Sequence, residues 1–307
     1  MSTIHVPVLL KETMQVLVSR PDGVYVDATL GTGGHFRELS SQLDRSAILL
    51  GIDADPTVID HCKSNLNISQ KHVYINSNFE SIKALCFRNG YPKVDGILMD
   101  LGLSSYALDD PLRGLSFSAD GPLDMRFSPA IGQTAANIIN YADLTDLIQI
   151  FQDFGEERFS KSIARSIVKE RQKSAIETTG RLAAIVKQKA QAQYVNKTLS
   201  RIFQALRIAV NRELDVLQKA LVDSVSILNP EGRLVVITYH SLEDRIVKQF
   251  FKHESTSCIC PREFPICQCD HKASLKIITP KPILPNKEEI VQNSRARSAK
   301  LRAAKRL

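Results

Sequence analysis

The residues best suited to chemistry begin at Asp27-Ala-Thr-Leu-Gly-Thr-Gly-Gly-His35, where Gly31, Gly33 and Gly34 follow a short apolar run. Glycine in such a turn lets the backbone approach a ligand and adopt positive φ. A dinucleotide site asks for G-x-G-x-x-G with a pyrophosphate at a helix N-terminus. The spacing here departs from that pattern and favours a nucleoside cofactor without a diphosphate. Asp53, in Gly51-Ile-Asp-Ala-Asp55, ends the next apolar run. A carboxylate at that place can accept hydrogen bonds from both ribose hydroxyls. Asp55 equally suits the N-cap of a helix opening near Pro56. Phe79 can pack against an adenine or against the core. A third acid, Asp100, heads Asp100-Leu-Gly-Leu-Ser-Ser105.

These residues need a scaffold that brings them together. Val24-Tyr-Val-Asp27, residues 47–53, residues 72–76 and residues 94–100 read as short buried strands, with helical segments at 36–43 and after Pro56. Continuous apolar strands separated by helices imply a parallel sheet covered on both faces. Ligands of such sheets bind outside the carboxyl ends of the strands, where Asp27, Asp53 and Asp100 fall. From Tyr106 to Glu213 the pattern changes to helical periodicity, as in Leu147, Ile148 and Phe151, and in Ile202, Leu206 and Val210. A long helix is expected over 211–228, with Leu214, Leu217, Leu221 and Val225 on one face. A strand follows at 232–240, and strand-like pieces at 275–278 and 282–284 can close the sheet. The expected organisation is an α/β sheet domain (1–105 and 214–307) interrupted by a helical insert (106–213).

The chain has 307 residues, 43% of them hydrophobic, and no apolar run long enough to span a bilayer, so a soluble cytosolic protein is expected. Net charge is +7, unevenly spread. Thirteen Lys/Arg lie between Arg158 and Arg212, against only Glu170 and Glu177. Residues 291–307 add Arg295, Arg297, Lys300, Arg302, Lys305 and Arg306 without an acid. Such patches suit a polyanion, with Arg201 and Arg207 as candidate contacts, although solvated helix faces look the same. Cys62 and Cys86 read as buried thiols. Cys258-Ile-Cys260 and Cys267-Gln-Cys269 can form a tetrahedral zinc site or an unmetallated loop of thiols, and no metal is assigned from sequence.

Eight blocks now make a specific resemblance. His5-Val-Pro-Val-Leu-Leu10, the glycine loop, Gly51-Ile-Asp-Ala-Asp-Pro56, Asp100–Ser105, 110–117, 121–126, His240-Ser-Leu-Glu-Asp-Arg245 and 293–302 together resemble the RsmH (MraW) family. The resemblance runs over essentially the whole chain. It implies a Rossmann-like class I methyltransferase sheet with an inserted helical substrate-recognition domain. It further implies S-adenosylmethionine-dependent methylation of cytosine N4 in the decoding region of bacterial 16S rRNA. The substrate is then 16S rRNA or the small ribosomal subunit, with no membrane partner, and a homodimer is allowed. Cofactor contacts carry over to Gly33, Gly34, His35, Asp53, Phe79 and Asp100. Asp100 can anchor the cofactor's amino-acid end, the favoured reading, or act catalytically by accepting the N–H of the target amine. Arg113, Phe117, Arg126 and His240 are the candidate substrate contacts, Asp124 lying beside them. A loop salt bridge, a core aromatic and a helix cap are their alternative roles. Two departures stand out: Ala107 replaces a glutamine that contacts the cofactor, which implies weaker cofactor affinity, and Tyr239 replaces the usual phenylalanine.

Overall fold

The computed structural model describes residues 7–103, 108, 110–261 and 267–307. The chain divides into two compact units, one of residues 1–102 with 214–307 and one of residues 103–213. The first is built on a seven-stranded sheet of β1 (Val24–Asp27), β2 (Ile48–Asp53), β3 (Lys71–Asn76), β4 (Val94–Asp100), β5 (Leu228–Thr238), β6 (Leu275–Ile277) and β7 (Lys300–Arg306), in the order β3-β2-β1-β4-β5-β7-β6. The first five strands run parallel, and β7 runs antiparallel to both β5 and β6.

Alternation along each strand sends neighbours to opposite faces. Tyr25, Leu49, Leu98 and Val235 join one core with α1 (Leu10–Leu17), α2 (Gly34–Gln42) and α3 (Pro56–Asn65). Val26, Leu50, Ile97 and Val236 join the other, with α4 (Ile82–Arg88) and two later helices. With both faces covered, β4 is buried from Val94 through Met99, as a parallel central strand requires. The doubly covered, mainly parallel α/β sheet expected from sequence is therefore what the chain forms.

The second unit is helical: α5 (Ala135–Tyr141), α6 (Leu144–Asp153), α7 (Ser160–Arg171), α8 (Thr179–Lys187) and α9 (Val195–Asn211). Its own core includes Leu147, Phe151, Ile163, Ile167, Ile202 and Leu206. The helix expected over 211–228 is two helices. Arg212 takes the left-handed conformation at φ 50° and ends α9, and α10 (Glu213–Ile227) starts afresh. Leu217, Leu221 and Val225 are buried along α10 as expected, while Leu214 stays partly exposed.

The carboxyl-terminal segment differs most from its sequence reading. Residues 282–284 make only an isolated bridge, Ile283 to Leu301. The strand that completes the sheet is the basic stretch Lys300–Arg306, inserted between β5 and β6. Its charges are committed: Arg302 Nε donates to Asp244 at 2.6 Å and Lys300 Nζ to the same carboxylate at 3.2 Å. Lys305 pairs with Glu231, and Arg306 donates to the Ser274 carbonyl. Burial raises the Asp244 carboxyl, but the bonds from Arg302 and Lys300 outweigh it and hold it below its ordinary value. Arg302 is only 7% exposed. Removing the carboxylate with Asp244→Ala therefore leaves a buried guanidinium without its anion and should cost about 3 kcal/mol in urea unfolding. An unchanged midpoint would return the segment to the status of a loose polyanion-binding tail.

Candidate cofactor site at the carboxyl ends of the strands

Strand register sets the site. Asp27 stands level with Gly51 on β2 and Leu98 on β4, so Asp53 and Asp100 each lie two residues further along, one on either side of the chain leaving β1. That chain is tied alternately to both neighbours. Ala28 N–H donates to the Leu98 carbonyl and Leu30 N–H to the Ile52 carbonyl, both at 2.9 Å. Asp100 N–H then donates to Thr29 Oγ1 at 2.6 Å, and Gly31 N–H to Asp53 Oδ2 at 2.9 Å. Gly33 takes φ 79° and caps α2, and a Cβ there would lie 2.3 Å from Leu66 Cδ1. A Cβ on Gly34 would run into Pro7. At Gly31, φ 50°, a Cβ would meet nothing nearer than the Thr29 carbonyl at 3.9 Å, so this stretch of backbone presents an open face.

Asp53 Oδ1 accepts from Asp55 N–H at 2.9 Å, so its carboxylate is aimed by two backbone amides. A carboxylate offers about four acceptor positions and suits a vicinal diol. Asp55 is the N-cap of α3, accepting from the Thr57 amide at 2.9 Å and hydroxyl at 2.7 Å. Phe79 opens a single 3-10 turn after β3, half-buried against the sheet core with part of its surface exposed.

Asp100 is held from several sides. Tyr239 Oη donates to its Oδ1 at 2.8 Å, and His35 Nδ1 lies 3.6 Å from its Oδ2. His35 is buried, with Nε2 3.0 Å from the Val8 carbonyl, which can only accept, so that nitrogen carries the proton. His35 thus sits behind Asp100, beyond hydrogen-bond distance of its carboxylate. Burial first, and then Asp100, push the Tyr239 phenol well above its ordinary value, so it remains a donor. The Tyr239 ring in turn leaves no room for a side chain at residue 102, where a Cβ would lie 2.7 Å from it. In the sequence Tyr239 stands out only as a departure from phenylalanine, and Thr29 carries no signal of its role. The hydroxyl that distinguishes Tyr239 from phenylalanine was the available signal.

The candidate substrate residues are each engaged within their own unit. Arg126 forms a two-pronged pair with Asp124 (2.8 and 2.7 Å) and donates to the Ile131 carbonyl at 2.9 Å. This pair holds the Asp124 carboxyl below its ordinary value. Arg113 donates to the Phe127 carbonyl at 3.2 Å, and Phe117 packs edge-on against Phe203 at 5.4 Å. Those three residues share the loop before α5. His240 was expected to end a strand, but β5 stops at Thr238 and His240 is the N-cap of α11 (Ser241–Glu254). Its Nδ1 accepts from Glu243 N–H at 3.4 Å, while Glu243 Oε2 accepts from the Tyr239 amide at 2.9 Å. Ala107 and the serine pair Ser104-Ser105 lie outside the described residues.

Asp27 lies beneath these groups and is 1% exposed. Burial is the main reason its carboxyl is pushed up to about 7; Asp100 and Asp53 add to the rise, and the Thr29 amide opposes it. The folded-state value lies above the unfolded one, so its stabilising effect is complete below about pH 4 and fades as pH rises through about 7. Asp27→Asn keeps an acceptor for Thr29 N–H and cannot ionise. Its stability relative to the parent, from urea unfolding at a series of pH values, should climb between about pH 4 and 7 and then level off on the order of 4 kcal/mol higher. A pH-independent difference would mean that Asp27 is not held protonated.

Residues 2–307 match the MraW methylase family. A protein of Carboxydothermus hydrogenoformans named ribosomal RNA small subunit methyltransferase H is 48% identical over 306 residues, covering 99% of this chain and 98% of its own length. Proteins of the same name from Brevibacillus brevis and Thermomicrobium roseum are 47% and 45% identical, covering 99% and 100% of this chain and 98% and 95% of their own lengths. With so high an identity over almost the full length of both partners, this chain belongs to the MraW methylase family.

Proposed function

We propose that this protein transfers the methyl group of S-adenosylmethionine to N4 of a cytidine in the decoding region of 16S rRNA, acting in the cytoplasm on the rRNA or the small ribosomal subunit. The observation that carries the cofactor assignment is Asp53, aimed by two amides beside the open backbone of Gly31. The relatives' names carry the choice of RNA, and the family resemblance implies the base.

The cofactor, when bound, supplies an electrophilic methyl group on a positively charged sulfur. Gly31 lets backbone rather than side chain line its place, Gly33 and Gly34 let the turn close against Leu66 and Pro7, and Asp53 accepts from the ribose hydroxyls. Phe79 offers its exposed ring surface to the adenine. Asp100, its carboxylate held by Tyr239 and its backbone by Thr29, holds the amino-acid end. Asp53 and Asp100 at one end of the sheet favour a ligand whose sulfonium and ammonium groups are cationic. The cytosine N4 lone pair is delocalised into the ring, so the protein's main contribution is to hold amine and methyl group in line. Arg113, Phe117, Arg126 and His240 remain assigned to the substrate side. Arg126 acts there through the shape of its loop, since Asp124 occupies its guanidinium.

The basic insert is the proposed RNA-docking unit, but its most useful cations are not Arg201 and Arg207. Arg207 makes a two-pronged bond to Glu213 at 2.8 and 3.0 Å, and Arg201 lies 3.5 Å from the buried Glu157. Lys161, Arg165 and Lys169 instead recur every four residues along α7, are exposed, and have no ion-pair partner among the described residues. Replacing all three with alanine should weaken binding to 16S rRNA and flatten its dependence on the logarithm of salt concentration by about three units. An unchanged slope would move the docking face elsewhere.

Activity is tested by incubating the protein with methyl-labelled cofactor and immature subunits, mature subunits or naked rRNA, then digesting the RNA to nucleosides for mass spectrometry. Labelled N4-methylcytidine from at least one RNA sample is expected, and Asp100→Asn should lower cofactor affinity together with turnover. Absence of label in every sample would overturn the assignment. Label on another nucleoside would overturn the choice of base.

A further inference from the structure

The loop that links α11 to β6 carries Cys258, Cys260, Cys267 and Cys269, which take no part in the site described above. We propose that these four cysteines bind one zinc ion as a structural tetrathiolate centre.

The geometry is that of a preformed ligand set. One sulfur from each residue lies within 4.8 Å of all the others. Cys267 and Cys269 Sγ are 3.6 Å apart, and Cys269 and Cys258 Sγ 3.9 Å. A tetrahedron with Zn–S bonds of about 2.3 Å has sulfur–sulfur edges of about 3.8 Å, between these two distances. A disulfide would need about 2.05 Å, and all four thiols are free. Two backbone amides point at the sulfurs: Ile259 N–H donates to Cys269 Sγ at 3.4 Å and Gln268 N–H to Cys260 Sγ at 3.3 Å. Such donors favour the thiolate, which is the form that binds metal.

The surroundings give the centre a purpose. None of the described residues from 252 to 274 is buried, and Ile259 is 48% exposed, so no apolar core gathers these side chains. The loop ends are already closed, Ser274 N–H donating to the Glu254 carbonyl at 2.8 Å. A metal cross-link supplies within the loop what burial does not, as it does in small domains. The contrast with Cys62 and Cys86 is direct. Those two are enclosed by the sheet cores, burial pushes both thiols up to about 12, and Cys62 donates to the Gly31 carbonyl at 3.3 Å. Four soft sulfurs in a tetrahedron select zinc over oxygen-seeking cations such as magnesium. Binding exchanges four S–H protons, released to solvent, for four Zn–S bonds, with no change of oxidation state.

The test uses the full-length protein, purified under reducing conditions without chelator. Elemental mass spectrometry should find about one zinc per chain, released in full by a mercurial thiol reagent. Protein stripped of metal should take up one equivalent of added Zn²⁺ against a chromogenic chelator. The Cys258→Ser/Cys269→Ser double variant should take up none while binding S-adenosylmethionine within about twofold of the parent, and Cys62→Ser should keep the full equivalent. Stripped wild-type protein given Co²⁺ should show the sulfur-to-metal charge-transfer absorption of a tetrahedral thiolate site, a readout that needs no variant to fold. The proposal is overturned if reduced wild-type protein takes up no zinc while its four loop thiols react freely, if the double variant keeps its zinc, or if iron is the metal found.

Discussion

Parallel pairing of β1 with both β2 and β4 is the constraint on which the site depends. The shared register leaves Asp53 and Asp100 two residues beyond Asp27 on either side, and the chain leaving β1 must pass between them. Each acid meets that chain differently. Asp53 receives the Gly31 amide through its side chain, whereas Asp100 gives its own amide to Thr29. The loop is therefore positioned in part by the Asp53 carboxylate that faces the ligand, so a change of Asp53 disturbs both. The Asp100 amide bond to Thr29, by contrast, survives a change of side chain. Bringing three carboxylates together under a sheet costs free energy, and the protein meets that cost by leaving the deepest one, Asp27, with a carboxyl near neutrality. A cationic nucleoside offsets the remaining charge, whereas a diphosphate would compound it.

The opposite edge of the sheet rests on a second electrostatic arrangement. β7 enters between β5 and β6 against the direction of the other long strands, bringing Arg302 into a nearly buried position. Asp244 on α11 accepts from both Arg302 and Lys300, so strand and helix are joined where α11 has just begun. The same helix is capped by His240 and Glu243, and Glu243 also receives the amide of Tyr239, whose hydroxyl holds Asp100. Cofactor loop, helix cap and carboxyl-terminal strand thus form one connected set of polar contacts within the sheet unit. This linkage explains why a segment far from the glycine loop in sequence belongs to the same machinery.

Much of the scaffold was legible because buried parallel strands write themselves as uninterrupted apolar runs ending in an acid. Val24–Asp27 and Val94–Asp100 have the bounds that such runs predicted, and Asp55 before Pro56 caps α3 as its type suggests. β7 was hidden for the converse reason. Its inward positions are Leu301, Ala303 and Ala304, two of them small, and its charges match those of a solvated tail until Asp244 is known to lie opposite. The break at Arg212 was equally silent, since a left-handed arginine leaves no mark on helical periodicity. The helix cap weighed as the alternative role of His240 was legible because Glu243 three residues on completes a capping box. The Tyr239–Asp100 bond spans 139 residues and depends on sheet order, which local sequence does not encode.

The central claim is that the acids ending β2 and β4 hold a nucleoside methyl donor. A crystal structure of the full-length protein with a non-reactive analogue of S-adenosylmethionine measures this directly. Both ribose hydroxyls should lie within hydrogen-bond distance of the Asp53 carboxylate, with the ligand's amino-acid end at Asp100 and its base against Phe79. A nucleoside bound away from the Gly31 backbone, with Asp53 holding only its own amides, would contradict it.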